Sequence, residues 1–165
     1  MTEFDQRKQK VNTQYNLNIQ SDKPSKTELK RRGKRLLSLC EYQSALVVFK
    51  QLLSIAPQFA DVQYYIVLAQ LKGQRPRLLP LSTIKEIERR LQSATQNNAA
   101  SSHCFILWAI VKEDYYVLNG LYDTPPTVSE LLQCVKNVKA VHINEMLTHI
   151  QASNNRIWEW LHSIS

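Results

Sequence analysis

At Ser25 and Glu28, at Thr83 and Glu86, and at Thr127 and Glu130, a hydroxyl residue is followed three positions later by glutamate, just ahead of an apolar run. In that spacing the hydroxyl accepts from the backbone N–H of the glutamate, and the carboxylate accepts in return from the N–H of the hydroxyl residue. Two donors that every helix start leaves unpaired are thereby satisfied together. The stops are marked as clearly, because Pro57, Gly73 and Asn119-Gly120 each follow an apolar segment. The punctuation predicts helices over about 25–40, 42–56, 60–72, 83–94, 99–118, 127–138, 142–151 and 155–163. The two prolines of GQRPRLLPLS and the polar TQNN predict loops. The helix over 99–118 has the most apolar centre, from Cys104 to Val111, and its charges Lys112, Glu113 and Asp114 are expected to surface at its end.

One stretch breaks the helical pattern. Residues 11–20 read VNTQYNLNIQ, with Val11, Thr13, Tyr15, Leu17 and Ile19 alternating with the amides Asn12, Gln14, Asn16, Asn18 and Gln20. Period-two alternation suits a β-strand, and a lone strand cannot satisfy its own backbone. No second strand is legible downstream. Three readings stay open. Copies of the segment stack on one another through amide ladders, with Asn16 and Asn18 on one face and Val11, Tyr15, Leu17 and Ile19 on the other. The segment adds to the sheet edge of a partner. Or it is a short strand or disordered tail ahead of its own domain. The SDKPSKT linker then divides the chain into a tag over 1–24 and a helical domain over 25–165.

Hydrophobic residues make up 44% of the chain, enough to form a core rather than remain disordered. The opening MTEFDQRKQK has no apolar region and no apolar run approaches the ~18 residues of a membrane span, so a cytoplasmic protein is expected. Cys40, Cys104 and Cys134 are odd in number and sit in apolar neighbourhoods, which reads as buried, reduced thiols. The net charge of +7 is uneven: residues 1–35 hold ten Lys and Arg against four acids, while the remaining 130 residues are nearly balanced. Basic character therefore belongs to the first helix and its leader.

Catalytic patterns are sparse. His142, Glu145 and His149 fall near one helical face and have ligand-type side chains, but surface polar residues adopt this spacing often. Glu113 and Asp114 are adjacent, as are His103 and Cys104, and adjacent helical residues do not face each other. The three glycines build no phosphate loop. No catalytic residue, metal or cofactor is assigned.

Gly33, Tyr42, Ala45, Phe49 and Pro57 are spaced by 9, 3, 4 and 8 residues, and the hairpin of residues 26–57 resembles a tetratricopeptide repeat on these positions. Leu29 stands where an aromatic is usual, Arg32 where leucine is usual, and Cys40 replaces the turn glycine. Residues 60–94 resemble a degenerate second repeat, with the C-terminal helices as a cap. The implied fold is all-α, antiparallel hairpins stacked in the tetratricopeptide manner. The resemblance also implies that the first helix lines a groove into which Lys30 and Lys34 point, with Arg31 beside them and Tyr64 adding a stacking surface. Such residues would hold the acidic side chains or C-terminal carboxylate of a partner protein. The alternative is sequence-independent nucleic-acid binding by the same basic helix, although no aromatic is interleaved with its charges. The leader FDQRKQKVNTQYNLNIQ resembles N-terminal tags of multidomain bacterial signalling and conflict-system proteins, which implies homotypic assembly or recruitment. A non-catalytic adaptor is the function expected.

Overall fold

The computed structural model describes residues 23–97, 101–152 and 154–165, which contain helices, turns and loops and no strand. The expected assembly strand, with Val11, Tyr15, Asn16, Leu17, Asn18 and Ile19, lies outside the described residues. The helices are α1 (Lys26–Ser38), α2 (Tyr42–Ile55), α3 (Ala60–Leu71), α4 (Leu81–Asn97), α5 (Ser102–Lys112), α6 (Val128–Gln133), α7 (Ala140–His149) and α8 (Arg156–Ile164). A 3-10 turn at Pro76–Leu78 precedes α4, and a π turn at Glu113–Val117 extends α5. No helix among the described residues is long and apolar enough to cross a membrane.

Two of the three expected capping boxes form. Ser25 Oγ accepts from the Glu28 N–H at 3.2 Å while Glu28 Oε2 accepts from the Ser25 N–H at 3.1 Å. Thr127 and Glu130 exchange the same pair of bonds at 3.2 and 2.7 Å. The third does not, because α4 begins earlier: the Thr83 N–H already bonds the Pro80 carbonyl at 3.0 Å. Thr83 is inside the first turn, and Glu86 pairs with Arg90 at 2.8 Å instead. Residues 95–97 of the expected TQNN loop continue α4, with the Thr95 hydroxyl donating to the Leu91 carbonyl. Helix α6 is shorter than expected because the Lys136 N–H leaves the helical ladder and bonds Ser102 Oγ at 3.0 Å.

Helices α1 and α2 form a tight hairpin. Its turn closes with the Glu41 N–H on the Leu36 carbonyl and the Cys40 N–H on the Leu37 carbonyl, both 2.9 Å. That pattern puts the residue between them in left-handed backbone, which is usually glycine. Here it is Cys40, at φ 58°. The turn carries its thiol outward, so Cys40 is exposed, as is Cys134, and only Cys104 is the buried thiol expected of all three. Burial pushes the Cys104 thiol up to about 12. Between the two helices Gly33 is seated on the Phe49 ring: a Cβ at Gly33 would fall 2.5 to 2.9 Å from three of its atoms. Phe49 is itself fully buried and stacks on Tyr65 of α3, centroids 5.3 Å apart.

Successive helices then pack in order from α1 to α6, while α7 returns to lie on α3 and α5, and α8 lies on α5 and α7. Helix α5 is thus enclosed by α4, α6, α7 and α8, and Cys104 and Ile106–Lys112 are all buried. The charges expected to surface at its end are buried too: Lys112, Glu113 and Asp114 are 1%, 4% and 0% exposed. Each is matched by a partner. Asp114 accepts from the Arg75 guanidinium at 2.8 Å and from the Arg77 N–H at 3.0 Å. Lys112 Nζ lies 3.1 Å from Asp123 and 3.8 Å from Glu88, and donates to the Thr124 carbonyl. Glu113 pairs with Arg156 at 2.8 Å.

Two substitutions test this packing. Gly33→Ala gains up to ~1 kcal/mol in helix propensity but forces a methyl into an immobile ring. A net loss of about 1–2 kcal/mol is expected in urea denaturation, and an unchanged or higher midpoint would contradict the close approach. Lys112→Met strands Asp123 without its cation, while Glu88 keeps Lys85 and the Tyr116 hydroxyl, and should cost about 3 kcal/mol in the same measurement. A cost under about 0.5 kcal/mol, the scale of a surface change, would show that Asp123 needs no partner.

Candidate functional site

Asp61, His103 and His142 come from the first turns of α3, α5 and α7 and meet in the groove that α1 borders. Asp61 is the second residue of its helix, where the macrodipole favours negative charge. His103 Nε2 lies 3.0 Å from Asp61 Oδ1. The His103 and His142 rings are stacked, with centroids 3.9 Å apart and planes 17° from parallel. Tyr64 meets both rings edge-on, at 4.8 and 5.3 Å, and its hydroxyl donates to the His142 carbonyl at 3.3 Å. Glu145, one turn beyond His142 on α7, accepts from the Tyr65 hydroxyl at 3.3 Å.

Lys30 and Lys34, one turn apart on α1, lie beside this cluster. Lys30 Nζ is 4.0 Å from Asp61 Oδ2 and 5.8 Å from the Phe59 ring centroid, and Lys34 Nζ is 5.4 Å from that of Tyr65. The groove is not a purely cationic trough, since Asp61 and Glu145 share it. Arg31 lies on another face of α1, exposed, and with Arg32, Arg35, Pro24, Glu28 and Leu29 lines a separate groove of about 450 Å³. Tyr64 is fully buried, so it supplies the floor beneath the two imidazoles and offers no surface to a partner.

The His142, Glu145 and His149 trio does not assemble. His149 Nδ1 is 3.0 Å from the Tyr42 hydroxyl, well into the α1–α2 side of the molecule, and burial holds its imidazole below its ordinary range. His142 and Glu145 face the groove, but the residues that join them, Asp61 and His103, lie about 80 and 40 positions away in sequence. Only the one-turn spacing of His142 and Glu145 was visible in the sequence. The companions of His142 follow from which helices pack together.

The site perturbs its ionisable groups in opposite directions. The hydrogen bond from His103 holds the Asp61 carboxyl below its usual range, and Lys30 adds to the effect. Burial raises the Glu145 carboxyl, against the pull of Lys34 and of the Tyr65 hydroxyl. Burial, reinforced by His103, pushes the His142 imidazole down to about 4 from an ordinary value of 6.5. The arrangement therefore keeps a neutral imidazole beside a carboxylate that stays ionised.

The His142 shift fixes a pH dependence. The unfolded chain takes up this proton near 6.5 and the folded protein only near 4, so the unfolded state binds more protons between those values and stability rises with pH across them. The contribution is fully present above about 6.5 and is lost progressively as pH drops toward about 4. The groups facing the ring are His103, Asp61, Lys34 and Lys139. Urea midpoints measured from pH 7 to pH 4 should therefore fall more steeply for the natural chain than for His142→Gln, and parallel profiles would refute the assignment. The chain matches no protein-family model, no curated protein and no solved structure.

Proposed function

We propose that the chain is a non-catalytic protein-interaction module, in which α1–α2 and α3–α4 act as stacked hairpins of tetratricopeptide type and α1 holds carboxylates of a partner. The observation that carries this reading is the state of Arg31, Arg32 and Arg35. All three are exposed, and their guanidiniums make no ion pair or hydrogen bond to any described residue. They share one groove with Pro24, and the one acid lining it, Glu28, already has Oε2 engaged in the α1 cap. A planar guanidinium matches a carboxylate through two parallel N–H bonds, so exposed arginines with no counter-charge among the described residues suit an acidic side chain or C-terminus. Lys30 and Lys34 add positive potential from the neighbouring face while engaged with Asp61 and the Tyr65 ring. The weight of recognition thus moves from the lysines to Arg31 and its two companions.

The seating of Gly33 on Phe49 and the in-order packing of α1 to α4 support the hairpin reading. Binding is tested by fluorescence anisotropy with three probes: a labelled acidic peptide ending in a free carboxylate, its C-terminal amide, and a duplex of arbitrary sequence. Arg31→Glu/Arg35→Glu should weaken peptide binding by at least about tenfold, the scale of one charge-assisted bond, with helical circular dichroism unchanged. Equal peptide binding by the double variant, or tighter binding of the duplex than of either peptide, would defeat the adaptor reading.

A further inference from the structure

We propose that Asp61, His103 and His142 form a binding site for a borderline divalent cation of the Zn2+ class. One carboxylate and two imidazoles are a donor set that Zn2+ favours, and three protein ligands leave a coordination position for water or another oxygen. One donor atom from each of the three residues lies within 4.8 Å of the other two. Tetrahedral bonds of about 2.0–2.2 Å put ligand atoms roughly 3.4 Å apart. Closing around an ion therefore asks Asp61 and His103 to separate slightly from 3.0 Å and His142 to draw in by at most about 1.4 Å, movements that side-chain torsions supply.

The surroundings are those a metal centre needs. The three donors sit on the first turns of three different helices, with α7 packed on both α3 and α5, so their backbones are held in place. Buried Tyr64 abuts both imidazoles edge-on and is tied to α7 through the His142 carbonyl, so it supports the stacked rings from beneath; turning their nitrogens onto a shared ion asks the rings to rotate out of that stack. While Oδ1 of Asp61 faces His103, its Oδ2 faces Lys30, an outer partner that orients the carboxylate. Glu145 adds a second acid within one turn of His142 and is oriented by Tyr65. The Asp61 side chain is 36% exposed and that of His103 12%, which gives an ion a way in. None of these residues lines the arginine groove, so the proposal stands independently of the partner that groove holds.

The competing arrangement is a simple Asp61–His103 pair with His142 packed against it. The two are separated on the untagged full chain carrying Cys40→Ser/Cys134→Ser, which removes the exposed thiols as rival ligands. After dialysis against a chelator, calorimetric titration with zinc sulfate should show about one equivalent bound at micromolar affinity or tighter. Cobalt chloride should give the visible d–d absorption of a four- or five-coordinate ion. In Asp61→Asn and in His103→Gln, both partly exposed positions whose helical circular dichroism should persist, zinc affinity should fall by about 100-fold or more and the cobalt bands should vanish. Arg31→Glu/Arg35→Glu should leave both signals unchanged, so loss of peptide binding and loss of metal binding are read separately. The site is overturned if the Cys40→Ser/Cys134→Ser chain takes up no zinc at micromolar concentration, or if the Asp61 and His103 variants bind it as tightly as their parent.

Discussion

The enclosure of α5 on four sides is the constraint from which the rest of the structure follows. A helix whose centre runs Cys104–Val111 without a polar residue has no face to give to water, so it must be surrounded. Surrounding it with α4, α6, α7 and α8 brings the start of α7 back across the chain onto α3. That return places His103, at one end of α5, against Asp61 and His142. The same enclosure traps Lys112, Glu113 and Asp114 at the other end, where each is buried only because a partner of opposite charge reaches it. Both polar clusters are therefore products of one apolar helix.

The molecule separates its cations by what they face. Lys30 and Lys34 look inward across the α1–α3 groove at Asp61 and Tyr65, while Arg31, Arg32 and Arg35 look outward from the same helix with no counter-charge among the described residues. A single basic stretch, KRRGKR, thus does two jobs set by helical phase alone. The lysines hold a charged groove together, and the arginines present hydrogen-bond donors to the exterior.

What the sequence disclosed and withheld follows the range of the interactions. Ser25/Glu28 and Thr127/Glu130 were legible because both partners lie within one turn. Thr83/Glu86 misled because Pro80, a residue that suits a helix start, opens the helix sooner. Gly33 was legible as a close approach, since little else explains a glycine in the middle of a helix. Cys40 was read as buried from its apolar neighbours, whereas a left-handed turn residue points away from the helices it joins. The Asp61, His103 and His142 cluster was not legible: no local pattern links three helix starts that meet only through tertiary packing. Tyr64 was read as surface from its alignment with Lys30, but α5 and α7 cover it.

The burial of the ion pairs at the end of α5 has a consequence for how the protein responds to ionic strength. Mobile ions screen charges that share their solvent and scarcely reach those that do not. Asp114 and Lys112 lie out of the counterion atmosphere and their partners Arg75 and Asp123 are mostly covered, so the loops they rivet to α5 stay fastened in brine. The arginines of α1 are bathed in that atmosphere. Electrolyte concentration therefore tunes what the surface attracts while leaving the scaffold that displays it untouched.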